Sequence, residues 1–228
     1  MNGITLHHCP QSRSMRSLWL LNELGVDFEV VTHPFGKNLR DPNYLARSPA
    51  GRVPALEIDG RSIFETGAIT EVLCETYSPN ALGRPAGHVE RADWLIWVHF
   101  SETISQHSAA LTQQHVALYD DTMRSPIVMK LEAARLAKCY DAIEGRLAEL
   151  GENGQYLLPS GFSAADVSVG QAVYMALHFA KLDAHPRTSV WYKQISQRPA
   201  FQASLPKGDE RLYPQEFFAP WQSGVTHV

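Results

Sequence analysis

The sequence predicts a mixed α/β unit over residues 1–80 joined to an all-helical unit over 87–228. Three observations lead there. Short apolar runs alternate with helical patterns before residue 80. The segment Ser78-Pro79-Asn80-Ala81-Leu82-Gly83-Arg84-Pro85 packs two prolines and a glycine into eight residues, which marks a connection. Beyond it every apolar pattern has helical rather than strand periodicity.

Taken in order, Ile4-Thr5-Leu6-His7 reads as a first strand. A polar loop, His8 to Ser14, leads into a helix from about Met15 to Leu24. Met15, Leu18 and Leu21 share a face of that helix, and Gly25 is placed to end it. Asp27-Phe28-Glu29-Val30-Val31 is the second strand, parallel to the first because a helix joins them. A loop over 33–42 and a helical turn at Asn43-Tyr44-Leu45-Ala46 follow. Leu56-Glu57-Ile58 and Arg61-Ser62-Ile63-Phe64, joined by Asp59-Gly60, form a hairpin with a type I′ turn. The next helix carries Ile69, Val72, Leu73 and Tyr77 on one face. The order βαβαββα is that of the thioredoxin-like fold. In the second unit, helices are expected from His88 to about His115, Pro126 to Leu150, from Val167 on and over Pro186 to Gln197, with an aperiodic tail from Lys207 draped over the surface.

Composition narrows the function. With 228 residues, 44% hydrophobic and 19% charged, the chain can bury substantial cores. A net charge of −4 offers no basic surface for nucleic acid, and no apolar run is long enough to span a membrane. Cys9, Cys74 and Cys139 are odd in number and far apart, which argues for reduced thiols. With no secretory pattern at Met1-Asn2-Gly3-Ile4-Thr5, a cytoplasmic location is expected.

The chemistry concentrates in Arg52 to Tyr77. Pro54 removes an N–H before the hairpin and frees the backbone of Val53 to pair outside the sheet, while Glu65-Thr66 opens a helix whose N–H groups and dipole favour an anion. Val53-Pro54 followed by an acid–hydroxyl pair at a helix start resembles the glutathione site of the glutathione S-transferase family, and the two-unit order extends the likeness over nearly the whole chain. The resemblance implies a cis proline at Pro54. Glu65 would take the ammonium of glutathione, Thr66 its γ-glutamyl carboxylate, Val53 its cysteinyl backbone and Arg52 its glycyl carboxylate. Arg13 and Lys37, the latter beside Asn38 in a closing loop, are further candidate cations. Glutathione would be a co-substrate, with no other cofactor. A homodimer and a small hydrophobic electrophile are the implied partners.

Activation of the thiol needs a donor near the sulfur. In the family that donor lies in the loop after the first strand, where this chain has Ser12 and Ser14; Ser12-Arg13-Ser14-Met15-Arg16 resembles a Ser-Arg-x-x-Arg subgroup. Ser12 is the first choice and Ser14 the second, and either could also cap the helix. Two rivals share the loop. His8 stands near the place of a tyrosine in some classes. Cys9-Pro10 resembles the Cys-Pro of glutathione-dependent thiol transferases, although it comes about two residues early. A thiol transferase or peroxidase and a non-enzymatic binding module therefore remain alternatives. The electrophile pocket is expected between the units, lined by His8 to Gln11 and by Phe100, Ser101, Ile104, Ser105 and His107. His99, His107 and His115 recur every eight residues, about 12 Å apart on a helix, too far for a shared metal. Ser163-Ala164-Ala165-Asp166 reads as a capping box with a purely structural role worth about 1 kcal/mol.

Overall fold

The computed structural model describes residues 3–151 and 154–220. Four strands, β1 (Ile4–His8), β2 (Phe28–Thr32), β3 (Ala55–Ile58) and β4 (Arg61–Phe64), form one sheet in the order β2-β1-β3-β4. β1 and β2 run parallel with Leu6 opposite Val30; β3 is antiparallel to both β1 and β4. The two strands of the first βαβ unit are linked by α1 (Ser14–Leu24). Its last turn closes on Gly25 at φ 63°, a left-handed conformation that costs glycine nothing. The hairpin turn has Asp59 and Gly60 at φ 50° and 74°, as a type I′ turn demands.

The expected loop over 33–42 contains a 3₁₀ turn at Lys37–Arg40, and α2 spans Pro42–Leu45. α3 (Thr66–Tyr77) buries Thr66, Ile69, Thr70, Leu73 and Cys74. The expected face is thus corrected at one end: Tyr77, the last residue of the helix, is exposed. The connection at 78–85 is firmly held. Arg84 is buried and bonds the carbonyls of Ala81 and Gly83, while Leu82 O accepts from Trp94 Nε1 (2.9 Å) and Ala164 N (3.0 Å).

The helical half comprises α4 (Arg91–Thr112), α5 (Pro126–Glu149), α6 (Ala164–Ala176), α7 (Pro186–Ser196) and α8 (Pro199–Ser204). α4 ends earlier than its apolar pattern implies and passes into a π turn at Gln113–Ala117. α6 is buried on all sides except at Tyr174, which explains its nearly continuous apolar sequence. Among its neighbours are α1 and α7. A Cβ on Gly170 would lie 2.5 Å from Ile195 Cδ1 and 3.1 Å from the Trp19 ring, so the close approach requires glycine.

One hydrophobic core runs through both halves, from Ile4 and Leu6 to Trp94, Val167 and Trp191. Trp19 on α1 is its hinge point. Its ring meets Phe201 edge-on at 4.8 Å, and its Nε1 donates to Glu23, which also receives Arg198 in a two-pronged bond of 2.6 and 2.7 Å. The tail departs from expectation. Tyr213 and Phe218 are buried against His178 and Phe179, so the chain after Lys207 contributes to the core instead of only draping it. Residues 221–228 lie outside the described set, and among the described residues no helix is long and apolar enough to cross a membrane.

Candidate active site

The loop from β1 to α1 is organised by hydroxyls. Ser14 is wholly buried, and its Oγ accepts the N–H of Cys9 at 3.0 Å. It lies 2.8 Å from His8 Nδ1 and 2.7 Å from Ser12 Oγ. Ser12 Oγ in turn donates to Cys9 O (2.7 Å) and accepts the N–H of Ser14 (3.2 Å). The result is a chain His8–Ser14–Ser12 that ends on the more accessible hydroxyl. Burial lowers the His8 pKa to about 4 against the opposing influence of Glu210 and Ser14, so the imidazole is neutral at pH 7. Burial pushes the Cys9 thiol up to about 11. A thiol held protonated in this way is a poor nucleophile.

Gln11 fixes the same loop from outside. It adopts φ 50°, is 3% exposed, donates from Nε2 to Tyr174 OH (3.1 Å) and accepts the N–H of Tyr213 at Oε1 (3.1 Å). A left-handed glutamine costs roughly 1–3 kcal/mol and persists because both ends of its amide are held.

A cleft opens beside this loop. Its walls include Arg13, Arg52, Val53, Pro54, Glu65 and Thr66, together with Glu102 from α4. The Val53–Pro54 peptide is cis. Tyr44 OH donates to Arg52 O at 2.7 Å and holds the approach to that bend. Glu65 stands at φ 74° before α3, with its side chain exposed and capping nothing. Backbone strain of this kind concentrates at ligand-binding positions. Arg52 is exposed; Lys37 opens the 3₁₀ turn, and its side chain lies outside the described set.

Beneath the cleft lies a charge network centred on Arg16, which is 1% exposed. Its Nη1 donates to Thr66 Oγ1 (2.9 Å) and to Glu102, and its Nη2 donates to Ser105 Oγ (3.1 Å) and Gln171 Oε1 (3.2 Å). Glu102 also accepts from Thr66 Oγ1 (2.5 Å) and from Arg13 (2.8 Å). Burial alone would raise the Glu102 pKa; Arg16, the Thr66 hydroxyl and Arg13 overcome it and hold the group at about 2. Sequence reasoning missed Glu102 and Gln171. A usable signal existed for the first: a carboxylate between Ser101 and Ser105 borders the buried stripe of α4, where a lone charge would be costly without a partner.

The family model described as the glutathione S-transferase amino-terminal domain matches residues 6–81. Glutathione S-transferase 4 of Zea mays is 31% identical over 194 residues, which covers 81% of this chain and 83% of that protein. The chain belongs to the glutathione S-transferase family. Glutathione S-transferase 3 of Schizosaccharomyces pombe is 26% identical over 218 residues, covering 91% of this chain and 88% of its own. The fold matches a glutathione transferase homologue from Lodderomyces elongisporus, solved with two GSH per subunit, at a TM-score of 0.81 and 21% identity, over 90% of this chain and 98% of that one.

The structure brings six of the residues expected to contact glutathione, Arg13, Arg52, Val53, Pro54, Glu65 and Thr66, to one cleft. Most of the residues expected to line the electrophile pocket are buried or turned inward. Ser101 and Ile104 are wholly buried, because they lie on the face of α4 that packs into the helical core. Ser105 is turned inward to Arg16, and His8 is buried behind Ser14. Phe100 is half-buried with its ring edge-on to Trp97 at 5.3 Å. His107 pairs with Glu132 on α5 at 2.6 Å. Among the described residues no three His, Cys, Asp or Glu side chains are grouped closely enough to hold a metal ion.

Proposed function

We propose that the chain is a glutathione transferase that ionises the glutathione thiol and adds the sulfur to a small, largely apolar electrophile. The observation that carries this reading is the shared cleft of Arg13, Arg52, Val53, Pro54, Glu65 and Thr66 beside the Ser12 loop. Glutathione has two carboxylates, an ammonium and a thiol, and the cleft offers a complement to each. Thr66 at the start of α3 suits the γ-glutamyl carboxylate, Glu65 the ammonium, the cis-Pro bend at Val53 the cysteinyl backbone and Arg52 the glycyl carboxylate. Lys37 would close over the same end.

Ser12 then supplies the chemistry. Its hydroxyl turns from Cys9 O to the incoming sulfur and donates a hydrogen bond to the thiolate, while Ser14 keeps a second hydroxyl behind it. A free thiol has a pKa of about 8.5, and each unit of lowering corresponds to about 1.4 kcal/mol of preferential stabilisation of the anion. The thiol proton leaves to solvent. The sulfur lone pair forms the new C–S bond and expels the electrophile's leaving group with its electron pair, or adds to its double bond, whose displaced electron pair takes a proton from solvent. The buried, protonated state of Cys9 weighs against a mechanism that uses it as nucleophile.

The test is a pair of variants. Ser12→Ala should lower conjugation turnover by about a hundredfold, comparable to losing one preorganised donor, while binding glutathione as before. Cys9→Ala should leave turnover within about twofold. Loss of turnover in Cys9→Ala would favour a thiol-transferase mechanism, and no glutathione binding by the unaltered protein at millimolar ligand would favour a non-enzymatic module. The same reading includes a homodimer, supported by apolar side chains left exposed on α4 and α5: Ile96, Ile127 and Leu131.

A further inference from the structure

We propose that Arg16 and Gln171 are positioning residues that connect the γ-glutamyl end of the cleft to the carbonyl of Ser12, so that recognition of the remote end of glutathione helps set the thiol donor. The inference rests on the proposed role of Ser12. Gln171 lies on α6, wholly buried, with no access to the cleft. Its Nε2 donates to Ser12 O at 3.2 Å, and its Oε1 accepts from Arg16 Nη2, also at 3.2 Å. The orientation of this amide is unambiguous. A guanidinium can only donate, so the glutamine oxygen must face Arg16 and the NH₂ must face the Ser12 carbonyl.

Arg16 links this amide to the substrate side. Its guanidinium is a rigid plane, with Nη1 on Thr66 and Glu102 and Nη2 on Ser105 and Gln171. Its Nε–H has no protein partner among the described residues, which leaves the plane pinned at its far edge and free on the stem side. A carboxylate arriving at Thr66 reaches Nη1 through the Thr66 hydroxyl, which accepts from it at 2.9 Å. Any tilt it induces appears at Nη2, then at Gln171 and then at Ser12 O. That carbonyl also accepts the N–H of Met15 at 3.1 Å in the first turn of α1, so the backbone bearing the thiol donor is held from the helix and from α6 together. A link that only fastened α1 to α6 would not need a buried charge, since apolar packing does this at lower cost. Binding energy from a non-reacting part of a substrate is best used where it improves geometry at the reacting atom.

Gln171→Glu separates the two ends, because it still accepts from Arg16 but cannot donate to Ser12. Steady-state kinetics and the ultraviolet thiolate absorption of bound glutathione across pH provide the readout. We expect kcat to fall about tenfold, the KM for glutathione to change less than about twofold, and the thiolate to titrate about one pH unit higher. If the glutamate variant does not fold, Gln171→Met, uncharged and of similar length, should show the same split. An unchanged titration, or a lower melting temperature with no shift in titration, would overturn the inference. Ser12→Ala measured alongside separates it from the reading beneath it. If Ser12→Ala loses the thiolate and the Gln171 variants keep it, only the inference fails. If Ser12→Ala keeps it as well, the role given to Ser12 falls and the inference with it.

Discussion

Glu102 carries two roles with one carboxylate, since it neutralises the buried Arg16 and lines the cleft. Glu102→Gln removes the compensating charge and leaves the guanidinium enclosed. Breaking a fully buried pair costs 3–5 kcal/mol; because Glu102 is one-third exposed, about 2 kcal/mol is expected, read as a lower urea midpoint. The pH dependence has a definite sign. The folded pKa of Glu102, about 2, lies below its ordinary value of 4.5, so the unfolded chain binds more protons between these limits. The stability Glu102 contributes is complete above about pH 4.5 and is lost as the pH falls towards 2. Stability curves for the unaltered protein and Glu102→Gln should therefore converge over that window. The cleft proposed for glutathione was legible at this scale because Pro54, Glu65 and Thr66 are close in sequence and each has a backbone consequence. Gln171 was not, because a long-range polar partner leaves no local pattern, and Glu102 showed only as a carboxylate bordering the buried stripe of α4 with no hint of its partners.

At the scale of elements, the capping box of α6 exceeds its sequence reading. Asp166 is wholly buried and accepts from Ser163 N (3.0 Å), Leu157 N (3.0 Å) and Trp191 Nε1 (2.9 Å). Two of these donors lie outside the helix it caps. Asp166→Ala would strand all three in the core, for an expected loss of about 3 kcal/mol or more, against about 1 kcal/mol for Ser163→Ala, measurable by denaturant titration. Gly170→Ala belongs to the same scale; its methyl would meet Ile195 and Trp19 and should cost about 1–3 kcal/mol by overpacking. The β3–β4 hairpin and α1 were readable because Asp59-Gly60 and Gly25 have few alternatives. α8 was not. Six residues that begin with a proline are too short to display a helical period.

For the whole molecule, the division into an α/β half and a helical half was visible from the change in periodicity and the proline-rich join. The continuity of the core across that join was not, since a sequence does not show which faces of α1 and α6 meet. The exposed Ile127 and Leu131 suggest where a second copy would bind. Sedimentation at micromolar concentration should give twice the chain mass for the unaltered protein and shift towards the single-chain mass in an Ile127→Asp, Leu131→Asp double variant. The sidedness of the core has a consequence for biosynthesis. Trp19 packs on Phe201, and Gln11 bonds Tyr213, so residues of the first βαβ unit find these partners only after the helical half has been made. A nascent chain halted after α3 would leave that indole face bare and the β1–α1 loop untethered, and it would depend on chaperones until the helical half emerges.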